Sequence, residues 1–288
     1  MTIVGAFIQV QQALRWFVDN FSTIADWRAT LLRVASFRDT LLRMDQVGRS
    51  ESRIDYEETE REATRIEDLL IAGPEGCISL SEPRTLLNPG DRVHIVGDAA
   101  EDKALLFRAL GGLWPWGSGR IAHPPRQSMM YLPAVPYGFP GTLRDAIAYP
   151  EAASDFDDAR VAEALADVGL HHLRPLLDTK ERWDRRLDED EKQCLAFARV
   201  ILHGPLWVVL YGALEALDPA SRRRIEAIFS GRLAHVGLIN IGRDDSRSAL
   251  FARTMRLARD RAGPTFKPGS EASGPSQSTP AADPLSTG

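Results

Sequence analysis

From about residue 68 onward, short β-branched and apolar runs alternate with stretches whose apolar positions recur every three or four residues. The runs Val93–Val96, Met129–Leu132, Trp207–Leu210 and Val236–Ile241 are short and apolar on both faces, which predicts buried strands. Lys103–Leu110, Phe156–Val168, Glu191–Leu202 and Pro219–Leu233 carry helical spacing. This alternation predicts an α/β domain over residues 68–260, with a parallel sheet core and helices on its faces.

The two ends follow different patterns. Residues 3–18 are the most apolar stretch, but Gln9, Gln11, Gln12 and Arg15 interrupt it. It falls short of the roughly 18–20 apolar residues a membrane span needs, and it lacks the basic flank and cleavage site of a signal peptide. It reads as the end of a membrane helix, an interfacial helix, or an amphipathic helix packed on protein. Ile24, Trp27, Leu31, Val34, Phe37 and Leu41 then share one face of a continuing helix, so residues 1–45 are expected to form a helical stub. Residues 46–67 are crowded with Glu, Arg and Ser and read as a charged, solvated linker. Residues 261–288, rich in Pro, Ser, Gly, Thr and Ala, read as a disordered tail.

Composition narrows the function classes. With 44% hydrophobic and 26% charged residues, the 288-residue chain is an ordinary globular one. Its net charge of −5 gives no support for nucleic-acid binding. Cys77 and Cys194 lie far apart, as free thiols in a reducing compartment would. Four of the 35 basic residues are lysines, an arginine excess that reads as coding bias. The neighbours His171 and His172 do not share a helix face, and no Cys/His spacing suggests zinc, so no metal site is expected.

After the Arg92–Val96 strand, Gly97-Asp-Ala-Ala-Glu-Asp-Lys103-Ala104 has the length and position of a phosphate-binding loop, G-x-x-x-x-G-K-[ST]. It leads into Leu105–Ile121, which contains Gly-Leu-Trp-Pro. Tyr131–Arg144, Leu187–Arg199, Trp207–Asp218 and Ile239–Arg243 follow in order. Together these segments resemble the phosphate loop, Q-loop, signature motif, Walker B strand with D-loop, and switch strand of ABC transporter ATP-binding cassettes. The resemblance covers about residues 70–258. It is specifically to the subgroup with fused membrane and ATPase halves that includes peroxisomal fatty-acyl transporters and bacterial uptake transporters for vitamins and peptides. It implies a P-loop NTPase-like cassette with a mixed sheet and a helical subdomain, and a stub similar to the end of the last transmembrane helix. It further implies ATP and magnesium as ligands, a transporter membrane domain or second cassette as partner, and a position at the cytoplasmic face of the cell membrane or in the cytoplasm.

The residues that would carry the family's chemistry are changed. Asp102 replaces the second glycine of the loop and Ala104 its metal-binding hydroxyl, while Gly97 and Lys103 remain. A phosphate loop works through backbone N–H groups and a helix dipole facing the anion. Glu101 and Asp102 are expected to oppose a phosphate, at about 4 kcal/mol per unit charge near 4 Å. Asp102 is expected to cap a helix beginning at Lys103. Tyr211 stands where the family has the aspartate that orients magnesium, and Gly212 where it has the carboxylate that polarises water; neither performs metal or base work. Ala134 replaces the Q-loop glutamine and Arg243 the switch histidine. The signature Leu-Ser-Gly-Gly-Glu reads Leu187-Asp188-Glu189-Asp190-Glu191, suited to a helix N-terminus and opposed to a partner's phosphate. Asp218 of the D-loop survives, with helix capping before Pro219 as its simplest role.

Three functions follow from this reading. The first is a cassette-like protein unable to hydrolyse ATP, with no cofactor, serving as an accessory or regulatory partner of a transporter and touching the membrane through its N-terminal helix. The second is a working ATP-binding subunit that tolerates the changes. The third is a truncated relative acting as an interaction module or without function.

Overall fold

The structure, a computed structural model, describes residues 11, 15–16, 20–38, 53–138, 140–244, 248–263 and 265–266. The chain divides into two units, one of Met1–Glu51 with Pro268–Gly288 and one of Ser52–Lys267.

In the first unit, residues 20–38 form helix α1. Phe21, Trp27, Leu31, Leu32, Val34 and Phe37 are all exposed along it. Residues 39–45, expected as the end of the stub, lie outside the described residues, as do most of residues 1–19 and all of 267–288.

The second unit is built on a ten-stranded sheet and a two-stranded one. Its strands are β1 (Asp55–Glu58), β2 (Thr64–Gly73), β3 (Gly76–Leu80), β4 (Arg84–Leu87), β5 (Arg92–Val96), β6 (Gly117–His123), β7 (Met129–Pro133), β8 (Pro140–Thr142), β9 (Lys180–Arg182), β10 (Trp207–Tyr211), β11 (Gly237–Gly242) and β12 (Arg253–Asp260). The large sheet runs β1-β6-β2-β3-β12-β5-β11-β10-β7, with β4 paired to β2. From β12 to β7 every pairing is parallel, whereas β6, β2, β3 and β12 pair antiparallel. The four runs read as buried strands supply β5, β7, β10 and β11, all in the parallel half.

The helices are α2 (Ala100–Leu110), α3 (Leu143–Ala148), α4 (Asp158–Asp167), α5 (Trp183–Arg186), α6 (Glu189–His203) and α7 (Pro219–Ser230). Residues 140–203 form a helix-rich layer around the β8–β9 ribbon. Leu143, Ile147, Val161, Leu165, Trp183 and Phe197 join the buried strand residues Val208 and Leu210 in one core. Burying side chains of this size contributes about 1.5–3 kcal/mol each.

Two boundaries differ from expectation. The stretch read as a charged linker contains β1 and the start of β2. Thr64 and Ile66 point inward while Arg65 is exposed, so a strand with one wet face carries the charge that suggested a linker. At the other end, Phe266 is buried although it lies in the Pro/Ser/Gly-rich tail. Its ring stacks on Trp116 at 4.1 Å and meets Trp114 edge-on at 5.5 Å, and its N–H donates to Gly73 O at 2.8 Å.

Surface carboxylates fasten several elements. Arg144 binds Asp178 at 2.8 Å and also pairs with Asp158, tying α3 to the start of α4 and to the turn before β9. Hydrogen bonding from Arg144 holds the Asp178 carboxyl below its ordinary range, and the backbone N–H groups of Ser221 and Ala220 do the same for Asp218. Both carboxyls are therefore deprotonated more readily when folded, and the unfolded chain takes up protons first as pH falls. Their contribution is complete above about pH 5 and is lost as pH drops through the depressed folded values. Urea unfolding is expected to give level stability from pH 7 to about 5 and a decline below about 4, with a shallower decline in Asp178→Asn.

Candidate functional site

The parallel half of the sheet ends in loops that converge on one cavity of about 360 Å³. Strand β5 feeds α2, β7 runs out at Pro133, β10 ends at Tyr211, and β11 delivers Gly242 and Arg243. Ligands of open α/β sheets bind at this carboxyl edge. Lys103, Ala134, Tyr211, Gly212 and Arg243 line the cavity together, along with Glu215, which the sequence reading did not single out.

Helix α2 corrects the expected capping. It begins at Ala100, with Ala99 as N-cap and no side-chain cap, so Asp102 lies inside the first turn. The Asp102 carboxylate instead takes a forked hydrogen bond from Arg259 on β12, with Oδ1 to Nη2 at 2.6 Å and Oδ2 to Nε at 2.9 Å. Arg259 also reaches Glu75 at 2.9 Å. The fork and its hydrogen bonds suit a planar guanidinium and explain why the carboxylate turns this way. Neither Asp102 nor Glu101 lines the cavity, although both lie in the helix turn that adjoins it. Gly97 and Ala104 are also absent from its lining. The Lys103 N–H approaches Ala99 O at 3.4 Å, within the helix.

Tyr211 bolts β10 to the first turn of α2. Its hydroxyl donates to Ala100 O at 3.3 Å and its ring tilts against Phe107 at 5.6 Å. Gly212 has φ +64°, a left-handed conformation that a carboxylate-bearing residue adopts only under strain. The Arg243 backbone is fixed from two sides: its N–H donates to Glu215 Oε1 at 3.3 Å, and its carbonyl accepts from His94 Nε2 at 2.9 Å. His94 is buried, stacks on Phe251 at 5.3 Å, and accepts at Nδ1 from Asn240 at 3.0 Å. The network assigns its proton to Nε2. This buried histidine positions the switch-like loop, and nothing in its sequence neighbourhood announces that role.

The acidic signature-like segment serves its own helix. Asp188 caps α6, accepting from Glu191 N at 2.7 Å, while the Glu191 carboxylate accepts from Asp188 N, the reciprocal box that Asp-x-x-Glu allows. Glu189 pairs with Lys192 at 2.7 Å. Asp190 turns inward, taking hydrogen bonds from Asp218 N at 2.7 Å and Ser221 Oγ at 2.8 Å. Asp218 caps α7 ahead of Pro219, as the sequence predicts. Cys194 lies beside Asp190, and burial pushes its thiol up to about 11, so it stays protonated at neutral pH. None of Asp188, Glu189, Asp190 or Asp218 lines the cavity.

No family model matches the chain. Its similarity to individual proteins is extensive. It is 32% identical over 74% of its length to an uncharacterised ABC transporter ATP-binding protein of Synechocystis, covering 34% of that protein. It is 33% identical over 51% of its length to the human ATP-binding cassette sub-family D member 3, covering 24% of it. The chain belongs to the ABC transporter ATP-binding-cassette family. It also matches the Escherichia coli inner membrane ABC transporter ATP-binding protein YddA, at 26% identity over 82% of the chain and 40% of that protein. The chain thus spans about a third of the length of the Synechocystis relative. A bacterial Atm1-family ABC exporter solved with ATP bound shares the cassette fold, with a TM-score of 0.54 and 22% identity over 67% of this chain and 36% of the exporter chain.

Proposed function

We propose that this cassette does not hydrolyse ATP and acts as an accessory or regulatory partner of a membrane transporter. The observation that carries this reading is the cavity wall itself. Tyr211 and Gly212 stand where hydrolysis requires a metal-orienting aspartate and a water-polarising carboxylate, and Ala134 offers no side-chain ligand. Its signature-like segment, with Asp188 and Glu191 committed to each other, supports no clasp on a partner's phosphate. Partnership with a transporter membrane domain or second cassette at the cytoplasmic face of the membrane is the counterpart of that reading. The exposed apolar residues of α1 would contact the membrane domain or the bilayer surface. Among the described residues no helix is long and apolar enough to cross a membrane.

The test is steady-state phosphate release from ATP with magnesium. Turnover is expected to stay at the buffer rate and to be unchanged by Lys103→Ala. Turnover that disappears in Lys103→Ala would replace this reading with that of a working ATP-binding subunit.

A further inference from the structure

Strand β7 closes one end of the large sheet and pairs with β10 alone. The N–H and C=O groups of successive strand residues alternate between the two sides of the strand. Pro133 O faces away from β10, taking a bond from Gln193 Nε2 at 3.4 Å. The N–H and C=O of Tyr131, two residues back, therefore face outward too, and among the described residues no strand meets them. An open edge of this kind is a template for a further strand.

That edge lies in a groove of about 520 Å³ lined by all five residues of β7. The far wall is α6, through Ala196, Arg199 and His203, spaced three and four apart on one helix face. Tyr137 and Tyr149 also line the groove and are exposed. Its volume falls within the range of ligand pockets, and five strand residues extend for about 16 Å.

The charges on the wall narrow what fits. Arg126 is exposed, gives one N–H to Gly111 O at 3.0 Å, and makes no ion pair among the described residues. Arg199 donates Nε to Ala146 O at 2.6 Å, and burial pulls its guanidinium down to about 10. Against these two cations the wall sets one carboxylate, Glu151, which lies 3.6 Å from His203 Nδ1. The His203 side chain is 8% exposed, and its Nε2 has no hydrogen-bond partner among the described residues. A buried polar atom without a partner is a cost that an incoming group can remove.

We propose that β7 and α6 form a docking groove for an extended segment of a partner protein, which adds a strand along the Tyr131 edge and sets an acidic side chain against Arg126. Main-chain pairing holds such a segment, and the wall selects among its alternate side chains. The groove shares no lining residue with the cavity at the carboxyl edge, so the proposal stands whether or not ATP is hydrolysed there.

The probe is a dye-labelled, end-capped hexapeptide alternating Val and Asp, titrated against the full chain by fluorescence anisotropy. Binding with a Kd below about 1 mM is expected, with the matching Val and Lys peptide weaker by about fivefold or more. N-methylation of whichever alternate set of peptide amides faces β7 is expected to weaken binding by about tenfold, because it deletes the ladder bonds and leaves the protein untouched. Arg126→Gln, its fold checked by thermal melting, is expected to weaken the Asp peptide by about threefold or more. Hydrogen exchange at the Tyr131 amide is expected to slow by about tenfold when the peptide saturates. Any of four results overturns the proposal: no binding at about 5 mM peptide, indifference to N-methylation of either set, equal binding of the Lys peptide, or unchanged Tyr131 exchange. Tighter binding of an α-aminoisobutyrate-stiffened helical peptide also overturns it, and assigns the groove to a helix instead.

Discussion

Trp207→Ala is expected to lower the unfolding free energy by about 4 kcal/mol, in the upper range for truncating a buried aromatic residue. The indole is fully buried at the start of β10. It lies beside Gly237 on β11, where an added Cβ would come within 2.5 Å of the ring, so backbone and indole are packed without slack. Its Nε1–H also donates to Glu62 O at 2.7 Å, which anchors the segment leading into β2. Removing the ring leaves a cavity and a carbonyl without its partner, two separate costs. For a body of this size each kcal/mol shifts the melting temperature by about 2–4 °C, so a drop on the order of 10 °C is expected in a thermal melt. Trp207→Phe keeps most of the packing and loses the hydrogen bond, and is expected to fall between the two. A loss below about 2 kcal/mol in the alanine variant would show that the indole is not the anchor described here.

Arg259→Ala is expected to cost about 3 kcal/mol. Breaking a buried ion pair from one side costs about 3–5 kcal/mol because the remaining charge is stranded, and the partial exposure of Arg259 moves the expectation to the low end. Asp102 is 6% exposed and holds the first turn of α2 against β12 through that pair. Asp102→Gly removes the stranded charge, so the double variant is expected to be more stable than Arg259→Ala alone. A double-mutant cycle read by urea unfolding gives the coupling directly. Additive losses within about 0.5 kcal/mol would refute a linked pair.

Strands β5, β10 and β11 were legible because they are buried on both faces, and the helices because they keep a regular spacing. Local capping was legible too, since Asp188-x-x-Glu191 and Asp218-Pro219 carry their partners within three residues. Errors arose where a residue's partner lies far along the chain. Asp102 looked like a cap because Arg259, 157 positions away, is invisible to a local reading. Strands β1 and β2 hid among charged residues because their wet faces carry Glu and Arg. Phe266 was one aromatic ring in a stretch of Pro, Ser and Gly, with nothing nearby to signal the two tryptophans that receive it. In the cavity, Lys103, Ala134, Tyr211, Gly212 and Arg243 were found from motif spacing, whereas Glu215 and the His94 support beneath Arg243 depend on the folded geometry.

The inward turn of Asp190 bears on how the cassette can move. One carboxylate grips the start of α7 at both a backbone amide and a hydroxyl, and it does so from the first turn of α6. Moving the start of α6 away from the start of α7 would have to rupture both bonds together. The carboxylate therefore acts as a clip that couples the two helix starts.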